Sequence, residues 1–163
     1  MSRPALKRQL DRLFHAIVAA KLHFDVYRVL TNEVDRPKFV DILNRYFEFF
    51  SPTISAHFIA MIMAISRIYD DKNVSIYALS KAISNSGMAD SKKLQTLESK
   101  IQRLDPSVKK ILVLRNNVFA HMSEKIDTSQ AFKKASITPN NLRDLIEKTM
   151  EVLGDTGEVI DYI

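Results

Sequence analysis

Prolines punctuate this chain where helices begin. Pro52, Pro106 and Pro139 each follow a residue that caps helix N-termini, namely Ser51, Asp105 and Thr138. Proline at the first helical position gives up an N–H that has no partner there anyway. Pro37 follows Arg36 at the head of another amphipathic stretch, and Gly87 and Gly154 stand where C-terminal caps would close helices. With only three glycines in 163 residues, and no alternating apolar run followed by a hairpin turn, the pattern argues against a sheet. It predicts helices at about 4–30, 36–50, 52–69, 75–86, 91–104, 106–122 and 139–153, and therefore an all-α, up-and-down helical bundle with short accessory helices.

The first of these helices carries a strict seam. Leu6, Leu10, Leu13, Ile17, Ala20, Phe24 and Tyr27 repeat at alternating spacings of four and three. Val18, Leu22, Val26 and Val29 widen the apolar surface beyond that seam, so the helix has a second face for its own bundle or for another subunit. Phe47, Phe49, Phe50, Phe58, Met61, Met63 and Ile65 read as core rather than as a ligand cavity. A length of 163 residues, 46% of them hydrophobic and 26% charged, suits one core, so residues 1–163 are read as a single domain. Segment 123–138 lacks a helical period and reads as a loop or marginal helix. Residues 155–163 read as a frayed tail, or as one docked through Val159, Ile160, Tyr162 and Ile163.

There is no cysteine, which removes disulfides and thiolate metal sites and makes a reducing cytoplasm the natural setting. The N-terminal residues do not read as a signal peptide, because Asp11, Arg12, His15 and Lys21 interrupt the apolar residues. No apolar run approaches the roughly 20 residues of a membrane span, so no membrane partner is expected. A net charge of +5 and a pI near 9.4 lean toward an anionic partner. Arg3, Lys7, Arg8, Arg12, Lys92, Lys93, Lys100, Arg103, Lys109 and Lys110 offer several faces for a phosphate backbone, or simply solvated helical surface.

The segment Leu114-Arg115-Asn116-Asn117-Val118-Phe119-Ala120-His121 holds the chemistry. At about 100° per residue, Val108, Ile111, Leu112, Val118, Phe119 and Met122 form one stripe with Arg115 in its middle. Arginine does not shed its charge, so this one must meet a carboxylate or open into a polar cleft at the edge of the core. A structural ion pair for Arg115 and a helix-end cap for His121 are the plain alternatives to a catalytic pair. Asp70 and Asp71 after Tyr69 are candidate partners for Arg115 or for a cation, and equally a helix terminus.

Arg115, the polar Asn116 directly after it, and His121 resemble the R-x4-6-H signature of the HEPN superfamily. The run L-R-N-N-V-F-A-H-M-S is most similar to the abortive-infection AbiU-type branch. The motif covers about eight residues, while the likeness in helical architecture covers most of the chain. The resemblance implies a homodimer whose motif helices face each other across a cleft and cut RNA without metal or cofactor. His121 would move the protons, Arg115 would stabilise the phosphorane, and Asn116 would orient the histidine or the phosphate. It implies a toxin or phage-defence role and leaves room for a cognate antitoxin. A non-catalytic RNA-binding or protein-interaction module with the same fold is the alternative. The tyrosine found two residues after the histidine in nucleotidyltransferase-regulated relatives is Ser123 here, so that regulation is not expected.

Six positions along a regular helix turn the side chain by about 240° and raise it by about 9 Å, so Arg115 and His121 of one chain diverge. Either the helix distorts before His121 or a two-fold partner supplies the second pair. No glycine-rich phosphate loop, H-E-x-x-H or G-x-S-x-G is present, and His15, His23 and His57 read as scattered, solvated positions.

Overall fold

The computed structural model describes residues 2–70, 74–87, 89–120 and 128–160. Among them are α1 (Arg3–Thr31), a short 3-10 turn (Arg36–Phe39), α2 (Val40–Arg45), α3 (Phe47–Asp70), α4 (Ile76–Ser86), α5 (Ser91–Ala120), α6 (Thr128–Ala135) and α7 (Pro139–Val159). No strand occurs among the described residues, and the bundle is all-α as expected. The seam of α1 is the spine. Its seven predicted positions are its buried residues, and they join Phe58, Met61, Ile62, Ile65 and Ile68 of α3 in one core. The helix packs along α3 and α7, while α5 closes the other side against α3, α6 and α7.

Two expected helix starts do not exist. Pro106 lies inside a continuous α5, and Asp105, read as a cap, instead accepts a 2.6 Å hydrogen bond from the Tyr77 hydroxyl. An interior proline costs about 3 kcal/mol. Burial of Leu97, Ile101, Leu104, Val108, Ile111 and Leu114 runs through the break on one face and offsets it. Likewise α3 begins at Phe47, with Pro52 inside it, and 36–50 divides into the 3-10 turn, α2 and the start of α3. The start of α5 is fixed by Asp90, whose carboxylate accepts from the N–H groups of Lys92 and Lys93 at 2.9 and 3.1 Å.

Other punctuation holds. Thr138 and Asn141 form a reciprocal capping box at α7, and Gly87 takes φ 64° to cap α4. Gly154 does not cap: α7 continues through it to Val159 because Val152, Leu153, Thr156, Val159 and Ile160 keep burying one face. Residues 155–160 are therefore packed, with the Ile160 carbonyl accepting from Arg3 Nε at 3.0 Å; Tyr162 and Ile163 lie outside the described residues. In segment 123–138 the marginal-helix reading applies to α6, and 123–127 lie outside the described residues.

Phe47, Phe49 and Met63 were expected in the core but are 65%, 64% and 38% exposed. Neighbouring positions on a helix diverge by about 100°, so Phe49 and Phe50, or Met61, Ile62 and Met63, cannot all face one core. The sequence also read no span-length helix, whereas α3, 24 residues long with an 18-residue stretch of mean hydropathy 1.5, is long and apolar enough to cross a membrane by length and composition alone. A core helix passes the same test, and the inner face of α3 is packed against α1.

Met61→Ala should cost about 2–5 kcal/mol of stability, because Met61 is fully buried. Leu22→Ser, at a position 61% exposed, should stay within about 0.5 kcal/mol. Urea unfolding followed by circular dichroism at low protein concentration checks both.

Candidate functional site at the end of α3

Residues Ile68 and Tyr69 are buried, and the Tyr69 hydroxyl bonds to Thr149 Oγ1 of α7 inside the core. Burial pushes the Tyr69 hydroxyl pKa upward, so it stays protonated and keeps its bond. Those two anchors fix the last turn of α3 and leave Asp70, its final residue, facing outward. Opposite it on α5, Leu114 is completely buried and Arg115 comes next. Arg115 is thus carried to the rim of the core.

Its guanidinium is held on two sides. Nη1 donates to Asp70 Oδ2, while Nε and Nη2 both donate to Asn116 Oδ1, at 3.2 and 3.1 Å. The alternatives of a carboxylate partner and an open polar cleft are both realised. Arg115 pairs with Asp70 and at the same time lines a recess of about 400 Å³ with Met63, Ala64, Ser66 and Arg67. Side-chain exposures of 23% for Arg115 and 48% for Asp70 make this a rim pair. Such pairs contribute only about 0–1 kcal/mol, so its main effect is orientation. Of the five N–H donors of the guanidinium, three are engaged by these bonds, and among the described residues no partner is seen for the other two.

The structure brings together Arg115 and Asn116 among the predicted site residues. His121 lies outside the described residues, as does Asp71. Asp70 is one of the two carboxylates that the sequence offers as partners for Arg115; Ser66 and Arg67 do not stand out there, although Met63, Ser66, Arg67 and Asp70 share the i, i+3, i+4, i+7 spacing of one helix face.

The remaining histidines correct the sequence reading. His23 and His57 are not scattered: α1 and α3 bring their Nδ1 atoms to 2.9 Å, with ring centroids 5.0 Å apart. Asp25, two positions beyond His23, pairs with Lys21 at 2.6 Å. Partial burial, and then the charge of His57, lower the His23 pKa below its ordinary value. Among the basic residues, Lys100 is tied to Asp155 at 2.7 Å and Glu151 at 2.9 Å, bonds that raise its pKa to about 12, and Arg3 is bonded to the end of α7. Among the described residues no three histidine or carboxylate side chains gather to hold a metal ion.

A family model described as HEPN_AbiU2 (AbiU2) matches residues 3–162. Searches of curated proteins and of solved structures find no match.

The histidine pair gives a pH dependence of stability. A histidine whose pKa falls below 6.5 on folding takes up its proton more readily in the unfolded chain. Stability is therefore held above about pH 6.5 and drops as pH falls through that value toward the folded pKa. The melting temperature should fall between about pH 7.5 and about pH 5.5, and His57→Gln should make that fall shallower. Superimposable melting curves for the two proteins across this range would remove the pair as the cause.

Proposed function

The chain belongs to the HEPN_AbiU2 family of abortive-infection proteins, and on that premise we propose that it is a metal-independent endoribonuclease acting as a toxin or in phage defence. The observation that supports this reading is the posture of Arg115: paired on one edge with Asp70, braced by Asn116, and lining a recess. An arginine serving only as an ion pair has no need of the recess. An arginine that must meet a phosphate does.

In this reading Arg115 stabilises the charge that builds on the phosphorane, and Asn116 and Asp70 hold the guanidinium in its plane. His121 acts as the proton carrier. Because six positions along a regular helix turn a side chain by about 240°, we propose a site completed by a two-fold partner, so that one His121 takes the proton of the ribose 2′-hydroxyl and the other protonates the leaving 5′-oxygen. The 2′-oxygen bonds to phosphorus as the bond from phosphorus to the 5′-oxygen breaks. The products are a 2′,3′-cyclic phosphate and a 5′-hydroxyl. On α1, Val18, Leu22, Val26 and Val29 are exposed at helical spacing and give such a partner apolar surface to cover.

Incubation of the purified protein with total cellular RNA in EDTA should give fragments ending in 2′,3′-cyclic phosphate. Arg115→Ala and His121→Ala should each lower the rate by about 100-fold or more while circular dichroism stays helical. An oligonucleotide with 2′-deoxyribose at the scission site should be inert, and light scattering should show a dimer. Activity that vanishes in EDTA and returns with magnesium, or full activity in either variant, would remove the Arg115 and His121 site as the explanation, and RNA that is bound but never cut would leave the non-catalytic RNA-binding module as the better reading.

A further inference from the structure

The recess beside Arg115 has a volume of about 400 Å³. One face of α3 supplies most of its wall, from Met63 at the rim through Ser66 and Arg67 to Asp70. Two independent features there ask for an anion. The hydroxyl of Ser66, in a residue only 2% exposed, has no hydrogen-bond partner, and an orphaned buried hydroxyl is costly. Arg67 is exposed one position further on, and among the described residues it makes no ion pair, whereas the carboxylate of Asp70 is taken by Arg115. Among the described lining residues two guanidinium groups stand against one carboxylate, a net positive charge. A ligand that fits must therefore bring negative oxygens, accept from a planar guanidinium, and extend to the neighbouring Arg115. A phosphodiester backbone meets all three requirements.

We propose that this recess is a second phosphate subsite, in which Arg67, supported by the Ser66 hydroxyl, holds the RNA phosphate next to the one that Arg115 faces. The inference rests on the endoribonuclease reading for the identity of the strand. Arg67 is a positioning residue: it binds the backbone beside the scissile bond and fixes the register in which that bond meets Arg115. The exposed thioether of Met63 at the rim offers apolar surface to the sugar between the two phosphates.

Binding is measured with a fluorescein-labelled 2′-O-methyl RNA oligonucleotide, which has no free 2′-hydroxyl to attack, by anisotropy across a salt series on the intact protein. Arg67→Ala should weaken binding by about 10-fold and lower the slope of log Kd against log salt by about 1, while Arg67→Lys keeps the slope. Ser66→Ala should weaken binding about 2- to 5-fold without lowering the melting temperature, since it deletes a hydroxyl that the free protein leaves unsatisfied. With cleavable RNA the loss in Arg67→Ala should fall on KM, and that in Arg115→Ala on kcat. An unchanged affinity and salt slope in Arg67→Ala overturns the subsite even where wild-type cleavage is normal. Conversely, wild-type protein that binds with an Arg67-dependent slope but cuts no RNA keeps the subsite and discards the nuclease reading.

Discussion

The arrangement at the recess depends on how the last turn of α3 is pinned. Ile68 and Tyr69 enter the core, and the bond from Tyr69 to Thr149 ties that turn to α7, 80 positions away in sequence. Leu114 pins α5 in the same way, with no exposure at all. Asp70 and Arg115 are each one residue beyond such an anchor. The charged pair does not create the site; apolar packing sets the spacing of the two helices, and the charges occupy the rim that results. This order of causes fits the magnitudes, since one buried aliphatic side chain contributes about 1.5–3 kcal/mol and a rim ion pair about 0–1.

That order also explains which parts of the fold were legible in the sequence. The seam of α1 could be read residue by residue because burial follows the helical period, and Thr138 and Gly87 could be read because their effects are local. Pro52, Pro106 and Gly154 misled for the opposite reason. Each is a local helix-stop signal set against an apolar stripe that continues past it, and the summed burial along α3, α5 and α7 is larger than the cost of one missing hydrogen bond or one glycine. Asp105 shows the same conflict: a residue suited to capping is used as an acceptor for Tyr77, a partner 28 positions away.

The candidate site was half legible. Arg115 stood out because an obligate cation inside an apolar stripe demands a partner, and Asn116 because it follows at once. Asp70 could be narrowed only to one of two adjacent carboxylates, since nothing in the chain says which of them, some 45 positions away, will meet the arginine. Ser66 and Arg67 carried no signal, as a serine and an arginine on an apolar helix are ordinary until the neighbouring helix is placed. The contact between His23 and His57 is of the same kind: 34 residues apart, they meet only because α1 and α3 pack at that height.

An arginine already bound to a carboxylate is still suited to phosphate chemistry, and the rim position is the reason. In a dry interior, separating Arg115 from Asp70 would strand two charges at large cost. At exposures of 23% and 48% water screens both, and Asp70 takes one N–H of the guanidinium while Asn116 takes two others. An incoming phosphate can use the two donors that have no partner among the described residues, without breaking either contact. Asp70 then limits rotation of the guanidinium and lowers the net charge of the recess when it is empty, and Arg67 restores that charge where the backbone enters. On this account the pair and the recess are parts of one device: the carboxylate fixes the direction in which the arginine points, and the open side of the recess fixes what it points at.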